Sequence, residues 1–155
     1  MTISELSYKA AFIADRRRQL HKQWHTYCNT LIQAVTTTKQ TLHLEIQSSP
    51  DEGLNFSLFN QFTLQVTRDT GFNDREIHYI LSTRDGQHRI PLASSQLGID
   101  GLLDGQIRNT DRQAVLEHYL ARISCIYDHL YQAMQQDIPL TVEALAPALL
   151  RPSQA

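Results

Sequence analysis

No proline and no glycine occurs between Met1 and Ser49, and across that run apolar side chains return at helical intervals. Leu6, Ala10, Ile13, Leu20, Trp24, Tyr27, Leu31 and Ala34, with Arg17 in the same series, follow one another in steps of four and three residues. That spacing keeps one seam of a helix turned toward one partner. Thr2 and Glu5 stand at the two positions of a capping box, so the start is marked as well. The pattern predicts one long amphipathic helix over about residues 4–48. Its plainest role is as a core helix. A further role is contact, through a seam or an exposed side, with another subunit or another protein.

The far end of this helix is ambiguous. Thr36, Thr37 and Thr38 weaken helix, because β-branched side chains lose rotamer freedom there. Leu42 and Ile46 continue a helical stripe, whereas Leu42, Leu44 and Ile46 also alternate as in a strand. With no breaker before Ser48-Ser49-Pro50, the helical reading is taken. Ser48 to Gly53 then reads as a loop.

From Leu54 the period changes to two. Leu54, Phe56 and Leu58 alternate with polar residues, as do Phe62, Leu64 and Val66, with a tight turn near Asn60-Gln61 between them. Asp69 to Asp74 is the next turn, Ile77, Tyr79 and Leu81 a third strand, Asp85-Gly86 a hairpin signal, and His88 to Leu92 a fourth strand. Pro91 cannot donate to a ladder, so that last strand belongs at an edge. Residues 94–109 read as an irregular loop, in which Asp100-Gly101 and Asp104-Gly105 clasp an apolar plug, Leu102-Leu103. The oxygen spacing does not match a calcium-binding EF-hand loop. Thr110-Asp111-Arg112-Gln113 opens another helix over 111–137 with its own seam of Leu116, Leu120, Ile123, Tyr127, Leu130 and Met134. Residues 141–155 form a short helix or a tail. The expected fold is α+β in one domain over 1–155: long N-terminal helix, four-stranded antiparallel meander over 54–93, long C-terminal helix, in the order α-β-β-β-β-α.

Charge and cysteine usage narrow the class. The formal net charge is −2, which argues against a dedicated nucleic-acid binder. The charge is uneven: residues 1–50 carry six Lys/Arg and three Asp/Glu, so +3, and residues 51–155 carry eight and thirteen, so −5. An electropositive helix on an acidic body can orient a partner. The start of the chain lacks an apolar signal region, and no apolar run has the length of a membrane span, so a cytoplasmic protein with reduced Cys28 and Cys125 is expected.

The chain is poor in signals for chemistry. Its six glycines are scattered over turns rather than gathered in a phosphate-binding loop, and no nucleophile elbow is present. The seven histidines follow no zincin or deaminase pattern. No enzyme activity and no cofactor are therefore expected. The spacing His21-x-x-x-His25-x-x-Cys28 puts two imidazoles and a thiol on one side of a helix, a set that suits zinc or nickel but lacks a local fourth ligand. Arg16-Arg17-Arg18, reinforced by Lys9 and Lys22, is the one basic cluster.

Several segments carry a resemblance. They are Met1-Thr2-Ile3 with Glu5, Gln23-Trp24-His25-x-Tyr27-Cys28-Asn29, Asp69-x-Gly71-Phe72-Asn73, Gln96-Leu97-x-Ile99-Asp100-Gly101-x-x-Asp104-Gly105, Val115 to Leu120, and Tyr127-Asp128-x-Leu130-Tyr131. In this order, spanning roughly Met1 to Pro139, they resemble the formate hydrogenlyase regulatory protein (HycA) family. The resemblance implies regulation rather than catalysis: members damp the formate regulon by opposing its formate-responsive transcriptional activator. It transfers no residue-level site.

Two functions follow as expectations. One is an anti-activator that works by protein contact, with Arg16, Arg17, Arg18, Lys22 and His25 on the N-terminal helix as the contact surface and no direct binding of nucleic acid. The other is a metal-handling (nickel or zinc) accessory, or an adaptor or chaperone, for hydrogenase assembly, with His21, His25 and Cys28 as the metal set. A homodimer through the heptad seam is a further expectation.

Overall fold

The computed structural model describes residues 1–48, 53–69, 71, 73–83, 88–140 and 145. The N-terminal helix, α1 (Ile3–Leu42), opens on the capping box foreseen from Thr2 and Glu5. The Glu5 N–H donates to Thr2 Oγ1 at 3.2 Å, and the Thr2 N–H donates to a Glu5 carboxylate oxygen at 3.1 Å.

The helix does not reach residue 48. It ends at Leu42, and His43 turns the chain with φ of 55°. Thr36, Thr37 and Thr38 donate their hydroxyls back to the carbonyls of Ile32, Ala34 and Val35 as the last turns close. The chain then enters β1 (Leu44–Ser48), a strand where a helix was expected. Leu42, Leu44 and Ile46 were compatible with both periods. What decides is the fully buried Leu44, which pairs with Leu58 and fills the core from the sheet side.

The sheet thus has five strands rather than four. β2 (Gly53–Leu58), β3 (Phe62–Arg68), β4 (Glu76–Thr83) and β5 (Arg89–Gln96) follow β1 in strict neighbour order, all antiparallel. Phe59 and Asn60, both at positive φ, make the tight turn between β2 and β3. Asp85-Gly86 and Phe72 lie outside the described residues. Pro91 stands on β5, an edge strand, where a missing donor costs nothing. The register shifts there, with Tyr79 opposite Ala93 and Ile80 opposite Pro91.

Residues expected as loop continue β5 to Gln96 and then form a small ribbon, β6 (Leu102–Leu103) with β7 (Ile107–Arg108). Leu103, half of the predicted plug, is fully buried. The C-terminal helix, α2 (Arg112–Gln135), starts from Asp111 rather than Thr110: the Asp111 carboxylate accepts the Ala114 N–H at 3.2 Å. Of the expected terminal short helix or tail only Leu145 falls among the described residues, and it is buried in the core.

One face of the sheet carries Leu54, Phe56, Leu58, Leu64, Val66, Ile77, Tyr79 and Leu81, all essentially buried. Both helices cover that face. Tyr27 of α1 and Tyr79 of β4 join hydroxyls at 2.8 Å, and Tyr119 of α2 packs on Phe56 and Tyr79. The helices run in the same sense, because Gln23 meets Asn109, Gln33 meets Arg112, and the Leu42 carbonyl accepts from Tyr127. Each fully buried Leu, Val or Phe in such a layer stabilises by roughly 1.5–3 kcal/mol. That contribution reaches only part of α1: Leu20, Trp24, Tyr27, Leu31 and Ala34 are buried, whereas every residue before Leu20 is exposed except the half-buried Arg16. The first seventeen residues of α1, about 25 Å at 1.5 Å per residue, therefore run past the body as an arm.

Candidate functional site

The contact residues expected from the sequence lie where the arm leaves the body. Arg16, Arg17, Arg18 and Lys22 occupy consecutive turns there, Arg17, Arg18 and Lys22 being exposed. Arg16 Nε donates to Asn73 Oδ1 at 3.1 Å, which ties the base of the arm to the turn after β3. Arg68 of β3 reaches the same place: one guanidinium nitrogen donates to the Leu20 carbonyl and another to His21 Nδ1, both at 3.4 Å. Between arm and turn lies a cleft of about 260 Å³ walled by Arg17, Arg18, His21, Arg68, Asp69 and Asp74. The arginines outnumber the aspartates on these walls.

His21 and His25 stand one turn apart with their Nε2 atoms at 2.9 Å. Since Arg68 donates to His21 Nδ1, a neutral His21 carries its proton on Nε2 and donates it to His25. Cys28 turns into the core instead, and burial pushes its thiol up to about 12, so the thiolate a metal would need is disfavoured. Among the described residues the ligand atoms that gather within 4.8 Å of one another are those of Asp69, Glu76 and His78, a set that the sequence spacing does not single out. His78 Nε2 there meets Asp69 Oδ2 at 2.9 Å.

Another polar centre locks the chain after β5. Asp104 accepts from the Gln96 N–H at 2.9 Å, from Arg122 Nη2 at 2.9 Å and from His118 Nε2 at 3.0 Å. Ser95 Oγ accepts from Arg122 Nε at 3.1 Å and faces the same His118 nitrogen at 3.3 Å. Burial pulls His118 below its ordinary value, with Arg122 adding to the effect and Asp104 opposing it. Burial would raise Asp104, but the His118 and Gln96 hydrogen bonds and the Arg122 charge outweigh it and hold the carboxyl low. The residues are those of a nucleophile triad, yet the arrangement is not. Serine and aspartate share one imidazole nitrogen, while Nδ1 is buried with no partner among the described residues. The cluster fastens a loop.

The apolar side chains of the arm complete the site. Leu6 is 51% exposed, Tyr8 77%, Phe12 66% and Ile13 49%, and none belongs to the buried core. Leu6 and Ile13 belong to the seam legible in the sequence; Tyr8 and Phe12 were missed. Their signal was present: two large aromatics four residues apart, off the stripe.

The segments that carry the family resemblance meet in this architecture. Gln23 Nε2 donates to the Ile99 carbonyl at 3.1 Å, and Asp104 and His118 come from two of the segments as well. The comparisons agree. Residues 1–146 match a family described as a transcriptional repressor of hyc and hyp operons. The formate hydrogenlyase regulatory protein HycA of Escherichia coli K12 is 45% identical over 145 residues, covering 94% of this chain and 95% of the relative. The proteins of the same name from Escherichia coli O157:H7 and Shigella flexneri align with the same identity and coverage. No solved structure matches the chain.

Proposed function

The chain belongs to the HycA family of transcriptional repressors, and from that premise we propose that it represses by gripping a protein, the formate-responsive activator of the formate regulon. It is a regulator of formate hydrogenlyase expression, not a catalyst of that pathway. The step from regulator to protein contact rests on one observation. The basic residues Arg16, Arg17, Arg18 and Lys22, with His25, fall within three turns of α1 around the point where it leaves the body, in a chain whose net charge is −2. Four cations within two turns of one helix can orient a complementary acidic protein surface. A dedicated DNA reader would spread more basic charge over its body, whereas residues 51–155 here carry −5. No helix among the described residues is long and apolar enough to cross a membrane, which suits action on a cytoplasmic transcription factor.

The metal-handling alternative draws no support from the family or its relatives, and the burial of Cys28 removes one of its three ligands. The test is charge reversal. Arg16→Glu with Arg18→Glu should relieve repression of a formate-regulon reporter by about tenfold or more, the size expected when a steering cluster changes sign, while the melting temperature of the protein stays close to wild type. A reversed protein that represses normally places the contact elsewhere.

A further inference from the structure

The arm carries apolar side chains on two opposite sides. At 3.6 residues per turn, Ile3, Leu6, Ala10 and Ile13 point one way, and Tyr8 and Phe12 point about 160° from them. Ile3 to Ile13 continue the buried seam of Leu20, Trp24 and Tyr27 beyond the end of the body, whereas Tyr8 and Phe12 face outward. Two polar edges separate these sides: Thr2, Glu5, Lys9 and Arg16 along one, and Ser4, Ser7, Asp15, Arg18 and Lys22 along the other.

A helix that is apolar on one side is covered by one surface. A helix that is apolar on both sides is a helix made to be enclosed. One neighbouring helix, or a sheet face, would bury Leu6 and Ile13 and leave Tyr8 and Phe12 wet, or the reverse. A lipid surface, which receives helices with one apolar face, has the same defect. The charge identifies the occupant further. Residues 1–22 carry five Lys/Arg and two Asp/Glu, so +3. A parallel arm of another copy would bring the same arginines against these and repel them, and an antiparallel one would cover a single apolar side of each arm and leave the other wet.

We infer that residues 3–19 of α1 form a docking helix that enters a cleft on the partner protein, apolar on both walls and rimmed by carboxylates near the arm's base. This rests on the reading above, in which that partner is the formate-responsive activator, and it assigns the bulk of the affinity to Leu6, Phe12 and Ile13. The arginines steer the encounter and fix its direction, so the cleft's acidic end receives Arg17 and Arg18. Recognition of a helix by a groove in this manner uses side chains at intervals of three and four, as Leu6, Ala10 and Ile13 provide.

The triple substitution Leu6→Ala, Phe12→Ala and Ile13→Ala tests this. Alanine is the strongest helix former, and the three side chains are exposed and outside the buried core, so the arm stays helical and the body keeps its melting temperature. Two readouts are taken on the full-length protein: repression of a formate-regulon reporter in cells, and binding of the purified activator. The inference expects repression to fail, and binding to weaken by at least about tenfold, the cost of removing anchoring side chains from an enclosed contact. A variant that represses and binds like wild type overturns the docking helix and leaves the activator reading intact. Loss of repression by the variant, when wild type itself does not bind the activator, supports the docking helix and overturns the activator as its partner. Wild-type binding to phosphatidylglycerol vesicles that the triple variant loses, with repression unchanged, overturns the protein cleft in favour of a membrane surface.

Discussion

His118 shows how one residue's surroundings set a property of the whole chain. Its Nε2–H is spent on Asp104, and its Nδ1 lies buried without an acceptor among the described residues. Protonation would place another N–H where no described residue receives it, on a ring that shares Asp104 Oδ2 with the Arg122 guanidinium. The folded protein therefore prefers neutral His118, whose value is lowered from the ordinary 6.5 chiefly by burial. The unfolded chain then binds more protons than the folded one between those two values, so stability rises with pH across that window. Above about pH 6.5 the contribution is complete, and it is lost as the pH falls from there toward the folded value. Asp104, held low, stays ionised throughout. Urea titrations at a series of pH values should show stability declining below pH 6.5, and His118→Gln should flatten that decline, since the amide can still donate to Asp104 and takes up no proton. Equal slopes in the two proteins would remove His118 as the source. The histidine's presence was visible in the sequence, but its meaning was not, because Asp104 and Ser95 reach it only when β5 and the ribbon fold back on α2.

At the scale of elements, legibility followed the strength of the period. The core half of α1, the strands β2 to β4, the edge position of Pro91 and the start of α2 to within one residue could all be read from spacing and turn chemistry. The end of α1 could not. Leu42, Leu44 and Ile46 satisfy a helix and a strand equally, and the residue that stops the helix is His43 at positive φ rather than a glycine or a proline. Nothing local announces that choice, which is made by the fit of Leu44 beneath the helices. The ribbon of β6 and β7 is likewise a tertiary product. Gly101, at φ of 82°, lets the chain turn against α1, where an added Cβ would lie 2.8 Å from Gln23 Oε1 and 3.1 Å from Asn109 Oδ1. Those two side chains bond each other at 3.0 Å and clamp the turn to the helix. Gly101→Ala should cost about 2 kcal/mol through the left-handed backbone and the displaced clamp, or roughly 4–8 °C of melting temperature for a chain of this size. A change under one degree would show that the clamp yields freely.

The whole molecule divides into a packed body and an exposed arm tied to it at its base, and the division falls within a single helix. Up to Arg18 the heptad seam reads the same as it does beyond Leu20, so the sequence could not say which half was spent on the chain's own core. The structure assigns Leu20 to Val35 to that core and leaves Leu6 to Arg17 for another use. A seam divided this way gives internal packing one stretch of the helix and leaves the other exposed. An arm tied to the body at its base by Arg16 and otherwise continued from the packed half by its cap and its alanines is close to the limit at which isolated helices persist, near 12–15 residues. Its amide hydrogens should exchange quickly in the free protein and slowly once enclosed. Hydrogen exchange of the full-length chain with and without the purified activator is the most direct measurement of the central claim. Protection that appears on residues 3–19 when the activator is added, with the strands of the sheet unchanged, is the predicted result. Exchange on the arm that stays as fast with activator as without it, or protection that appears on β5 and α2 instead, would contradict it.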